Sequence, residues 1–250
     1  VGKTTTALNL ASALGADGRA VVVVEADLAT ANAVDFLDVS LDRATLHDVL
    51  AGEARVADAT YPAPGGFDIV PSGTSLAGFA DSDVDRFPAV IDELRPRYDT
   101  VVIDTGAGVS KETVVPTGVA EATILVSTPR VAAVRDADKT RSVADRAGAP
   151  VGGLVLNRSG TGRSPPPERI AGFLETELLG HVPQDETVTV AQDAGVPVVA
   201  YAPDSAAAEA YREVGIALRR RPDLLGTRRE NAGGFRFGDV TAADGSGEPE

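Results

Sequence analysis

The sequence predicts an α/β fold: a doubly wound, mostly parallel sheet with helices on both faces. Three observations lead there. Gly2-Lys3-Thr4 sits at the head of an apolar stripe with helical spacing, several short runs are continuously apolar, and amphipathic stretches alternate with those runs. Continuous apolar runs mark strands buried on both sides, as parallel sheets require.

Taken in order, the first element is a helix over Thr4 to Leu14, with Ala7, Leu8, Leu10, Ala11 and Leu14 on one face and Gly15 at its end. Val21 to Val24 follows as a strand. Further strands are expected at Phe67–Val70, Val101–Ile103, Ile124–Val126, Leu154–Leu156 and Val198–Val199, with a shorter one near His181–Val182. Helical periodicity covers Thr45–Leu50, Val84–Leu94, Val131–Ala147, Glu168–Leu179 and Ala206–Arg220. These elements run without a linker break, so residues 1–225 read as one nucleotide-binding domain. Residues 226–250, rich in Gly and acidic towards the end, read as a disordered tail. Gly160 to Pro167 reads as a surface loop.

Composition narrows the function classes. The chain has 250 residues and no Cys, which excludes disulfides, Cys-based zinc sites and Cys-ligated iron–sulfur clusters, and fits a cytoplasmic protein. No apolar run reaches the ~18 residues that span a bilayer. A net charge of −14, with Lys3, Lys111 and Lys139 as the only lysines, gives a surface that repels nucleic acid and anionic lipid and suits a salt-adapted protein.

The chemistry starts at the N-terminus. Val1-Gly2-Lys3-Thr4-Thr5 matches the end of the phosphate-binding pattern G-x-x-x-x-G-K-[ST], so the chain is expected to begin inside that loop, with the first strand and the start of the loop upstream. In that pattern backbone N–H groups wrap the phosphates, the lysine reaches the β- and γ-phosphates, and the Ser/Thr hydroxyl binds Mg²⁺. Ligands in open α/β sheets bind beyond the carboxyl ends of the strands. That rule selects Glu25 to Asn32, Pro71 to Ser75, Asp104 to Gly108, Thr128 to Arg130 and Asn157–Arg158. Asp104 ends an apolar strand, the Walker B arrangement, and is the candidate for the metal shell beside Thr4. Asp27 has two open readings, orienting an attacking water or capping a helix that starts near Ala29.

Together these segments resemble the MinD/ParA family of deviant Walker ATPases, over roughly Val1 to Ala202. The residues that carry the resemblance are Val-Gly-Lys-Thr-Thr-Thr at the start, Glu25-Ala26-Asp27-Leu28 with Asn32, Asp104-Thr105-Gly106-Ala107-Gly108, and Ser127-Thr128-Pro129 with Val134-Arg135-Asp136-Ala137-Asp138. Leu156-Asn157-Arg158, Val182-Pro183-Gln184-Asp185 and Gly195-Val196-Pro197-Val198 complete the series. Their order resembles MinD more than ParA. The resemblance implies ATP and Mg²⁺ as cofactors, with Gly2, Lys3, Thr4, Thr5, Asn157, Arg158 and Pro183 around the nucleotide. Lys3 and Asp27 would be the catalytic pair, Asp27 positioning water; Thr4 and Asp104 would hold the metal, and Asn157 would read the adenine edge. It further implies an ATP-dependent homodimer that works as a switch in division-site positioning or in chromosome, plasmid or cargo partitioning, together with an activating or cargo protein. The family's signature lysine lies in a Lys-Gly-Gly segment ahead of the part present here. Gly106 replaces the usual proline, and Arg130 stands where MinD commonly has Glu.

Two other classes compete: a non-hydrolysing nucleotide-binding scaffold, and a small-molecule enzyme such as an ATP-dependent ligase or a tyrosine-kinase-like relative. Tyr61, Tyr98, Tyr201 and Tyr211 form no tyrosine cluster, which disfavours the kinase-like case. No membrane anchor is visible, so membrane or DNA association would rest on Arg219-Arg220-Arg221 with Arg228-Arg229. Three arginines ending a helix are also what the helix dipole favours. His47 and His181 read as structural.

Overall fold

Strand β1 (Val21–Glu25) is buried at every position and has a parallel neighbour on each side. A computed structural model describes residues 1–160, 164–221 and 224. β1 pairs with β3 (Phe67–Val70) and with β4 (Thr100–Asp104), in a register that sets Val23 opposite Ile69 and Val102. β2 (Tyr61–Ala63) adds an antiparallel edge next to β3, giving the order β2-β3-β1-β4. A second sheet, β5-β6-β7, is all parallel and consists of Thr123–Ser127, Val151–Ser159 and Leu178–Pro183.

Helix α1 (Lys3–Gly15) joins the two sheets. Its Leu8, Ala11 and Leu14 pack with Val21, Val23 and Ile69, whereas Leu10 and Ala13 pack with Val155, Leu179 and the residues of α10 (Ala206–Arg219). Burying a leucine such as Leu14 is worth about 1.5–3 kcal/mol, so one helix contributes to both halves of the core. On the opposite face, Val22 and Val24 meet α2 (Leu46–Ala51) and α4 (Phe87–Leu94). Leu125, Leu154 and Leu156 meet α6 (Val131–Arg146) and α7 (Pro167–Phe173). Alternate residues of β1 thus face opposite layers, the geometry that made its sequence apolar from Val21 to Val24.

With two exceptions the expected helices and strands form, with helices on both faces, but β4 and β5 are not hydrogen-bonded to each other. A slot of about 670 Å³ separates them, lined by Val101, Val102, Ile103 and Asp104 on one side and Thr123, Ile124 and Val126 on the other. Two local expectations are corrected. Val198–Val199 is no strand: Pro197 caps a short helix, α9 (Val198–Tyr201), because its ring presets the entry to a helical turn. The helix expected over Glu168–Leu179 stops at Phe173; Glu175 turns to a positive φ of 49°, and the chain re-enters the sheet as β7. The remaining helices are α3 (Leu76–Asp81), α5 (Lys111–Gly118) and α8 (Glu186–Asp193). The proposed tail and Arg228–Arg229 lie outside the described residues.

Candidate nucleotide site

At the head of α1, Gly2 adopts φ 87° and ψ 36°, a left-handed conformation natural only to glycine. A Cβ there would also lie 2.9 Å from Nδ2 of Asn157. Asn157, in the C-terminal part of β6, donates through Nδ2 to the carbonyls of Val1 and Gly2 at 3.2 and 3.3 Å and to the Thr6 hydroxyl at 2.9 Å. Its Oδ1 is buried with no partner. Thr5 accepts from Gln192 of α8 at 2.9 Å. The first turn of α1 carries no acidic residue, so its unpaired N–H groups and positive dipole end are left for an anion.

Asp104 closes β4 beside this turn. Burial pushes its carboxyl up to about 6, while the neighbouring Thr4 side chain and the charge of Lys3 pull the other way. Its Oδ2 is buried without a partner. An orphaned carboxylate oxygen next to a threonine hydroxyl fits Mg²⁺, which takes one or two protein oxygens and fills its shell with water and substrate phosphate. The same carboxyl feels the charges of Glu25 and Asp27.

Asp27 lies two residues beyond the end of β1. Oδ1 accepts from the Thr30 hydroxyl at 2.7 Å and from the Thr30 N–H at 3.3 Å. The helical turn that follows starts later, at Ala33–Phe36 with Asn32 as its cap, so Asp27 caps no helix near Ala29. Gly106 runs against it: a Cβ at 106 would sit 3.2 Å from Asp27 Oδ1. The glycine that replaces proline therefore allows a close approach.

A second hollow, about 750 Å³, is lined by Gly2, Thr5, Thr128, Arg130, Asn157, Arg158 and Pro183. Arg158 is one of the few non-glycine residues at positive φ, 54°, a strain of the kind kept at functional positions. Gly2, Thr5, Asn157, Arg158 and Pro183 line this hollow, and Lys3, Thr4 and Asp27 lie close enough to Asp104 to perturb its carboxyl.

A profile of the CobQ/CobB/MinD/ParA nucleotide-binding domain matches residues 1–198. The chain belongs to this family. It is 35% identical to an ATP-binding protein of Methanocaldococcus jannaschii over 219 residues, which is 86% of this chain and 82% of that one. Among solved structures it is similar to the cell division ATPase MinD of Pyrococcus furiosus, with a TM-score of 0.84 and 34% identity over 88% of this chain and 93% of that one. It is equally similar to the septum site-determining protein MinD of Pyrococcus horikoshii solved with Mg-ADP, TM-score 0.84 and 33% identity over 91% and 94%.

Three buried groups make contacts that the residue pattern did not announce. Glu25, fully buried, accepts from the N–H groups of Asn32 and Ala33, both at 2.6 Å, and of Ser72 at 3.0 Å. Burial raises its carboxyl and those three donors oppose the rise. Ser72 returns a bond from its hydroxyl to the Glu25 carbonyl at 2.8 Å. His47 of α2 donates through Nε2 to the Leu28 carbonyl at 3.2 Å, and burial lowers its basicity. The signal for Glu25 was the Glu-Ala-Asp triplet, in which only the second acid was given work.

Two arginines of the basic cluster are ion-paired. Arg219 forms an ion pair with Asp17, and Arg221 pairs with Glu177 at 2.5 Å. Among the described residues no helix is long and apolar enough to cross a membrane.

Proposed function

We propose that this protein is a Mg²⁺-dependent ATPase of the MinD type, a switch that dimerises with ATP and separates after hydrolysis in division-site positioning or partitioning. The observation that carries the reading is the buried, unpartnered Oδ2 of Asp104 beside Lys3 and Thr4, at the head of a helix with no acid in its first turn. Lys3 supplies the counter-charge to the phosphates, and the α1 N-terminus orients them. Thr4 and Asp104 hold Mg²⁺, which neutralises charge developing on the phosphate oxygens. Asp27, steadied by Thr30 through Oδ1, orients the attacking water; Asn157 Oδ1 takes the adenine amino group, with Arg158 and Pro183 as walls.

Support for the dimer comes from the surface. Leu76, Val109 and Val131 are 84%, 69% and 71% exposed, in the segments that follow β3, β4 and β5 at the nucleotide rim. A second copy over that rim would cover them.

Calorimetry with Mg·ATP on the full chain tests the site. Lys3→Ala is expected to abolish binding, and Thr4→Ala to weaken it chiefly when Mg²⁺ is present. Equal affinities for the wild-type protein and Lys3→Ala would refute the assignment. Binding without turnover would favour the scaffold reading.

A further inference from the structure

Glu25 has an unusual surrounding for a carboxylate. It is fully buried, and no ion pair among the described residues includes it. A buried charge left unpaired is very costly, so its compensation must come from dipoles. Three backbone N–H groups provide it. Two of them, on Asn32 and Ala33, converge on Oε1, and the third, on Ser72, reaches Oε2.

The position of those donors matters more than their number. Asp27 stands two residues after Glu25, and Asn32 and Ala33 stand five and six residues after Asp27. One carboxylate therefore closes the arc 26–33 on itself and ties it to the loop after β3. The arc is held at two further points: the Ala26 N–H donates to the Asp104 carbonyl at 2.8 Å, and the Leu28 carbonyl accepts from His47. Its middle is loose by comparison, with Ala29 and Thr30 exposed. We propose that Glu25 is the positioning residue for Asp27: its carboxylate closes the arc 26–33 and so sets where the Asp27 carboxylate sits relative to Gly106 and Asp104. This rests on the reading of Asp27 given above, although the closure of the arc can be measured without it.

Glu25→Gln keeps the shape but replaces one acceptor oxygen with an NH₂ that must face a backbone N–H, whichever way the amide lies. The expected result is hydrogen exchange at least tenfold faster at Asn32 and Ala33. Turnover should fall tenfold or more while KM for Mg·ATP stays within about threefold, because only the transition state depends on the placement of Asp27. Ser72→Ala is the control. It removes the hydroxyl bond to the Glu25 carbonyl and leaves the carboxylate bonds in place, so it should lower the melting temperature without changing kcat or exchange in 26–33. If Glu25→Gln behaves like Ser72→Ala, the residue is merely structural and the proposal is overturned.

If Glu25→Gln does not fold, the unsubstituted chain still decides. Its Asn32 and Ala33 amides must exchange at least tenfold more slowly than the exposed Ala29, and equal rates would overturn the closure. An unsubstituted chain that binds no Mg·ATP sinks the functional reading instead, and leaves the exchange result standing.

Discussion

Nδ2 of Asn157 donates to the Thr6 hydroxyl at 2.9 Å, across 151 residues of sequence. The same group reaches the carbonyls of Val1 and Gly2, so the end of β6 fixes the loop that enters α1. Asn157→Ala removes the amide donor that the buried Thr6 hydroxyl accepts from. The expected loss is about 1–3 kcal/mol in denaturant unfolding, with a parallel fall in nucleotide affinity. Unchanged stability together with lost affinity would show that Asn157 serves the ligand alone.

Asp27→Ala separates binding from chemistry. Its partner Thr30 is exposed, so stability should change by less than about 1 kcal/mol. If Asp27 orients the water, Mg·ATP affinity is retained, the ATP-bound dimer accumulates in sedimentation, and steady-state turnover falls by about 10²-fold or more. Normal turnover would remove Asp27 from the mechanism.

Much of this arrangement was legible in the residues, for definable reasons. Four consecutive valines admit little but a strand buried on both faces, and Val101 to Asp104 shows an apolar run ending in a carboxylate where ligands bind. What could not be read depends on tertiary context. β2 is three residues long with Pro62 at its centre, a segment that pairs only because it lies on an edge. Val198 and Val199 favour strands by branching, yet Pro197 turns them into a helix. The placement of Glu25 depends on donors 7, 8 and 47 residues away, and no local pattern announces such a convergence.

The paired arginines lead to a prediction about surfaces. With Arg219 held by Asp17 and Arg221 by Glu177, and a net charge of −14, the full chain in its ADP form should not co-sediment with anionic vesicles at physiological salt. The double substitution Asp17→Asn with Glu177→Gln removes two negative charges and both of these ion pairs and should increase vesicle binding, an increase abolished by high salt. Firm binding of the unsubstituted ADP form would contradict this balance of charge.

Asp104 makes a prediction about pH whose sign follows from its environment. Burial raises its carboxyl to about 6 in the folded chain, against an ordinary value of 3.8, so between those values the folded state binds more protons than the unfolded state. Stability from this group is therefore complete below about 3.8 and is lost as pH rises through about 6, an effect on the order of 3 kcal/mol before solvent relaxation reduces it. Asp104→Asn removes the titration while keeping the shape. Without Mg²⁺ and nucleotide, its urea stability should therefore fall less between pH 4.5 and 7.5 than that of the unsubstituted chain. With Mg²⁺ the direction reverses, because the cation needs the ionised carboxylate and its binding must expel a proton below pH 6, so Mg²⁺-dependent affinity should weaken as the medium is acidified. Identical pH slopes for the two proteins, with and without Mg²⁺, would show that Asp104 is not the titrating group at this site.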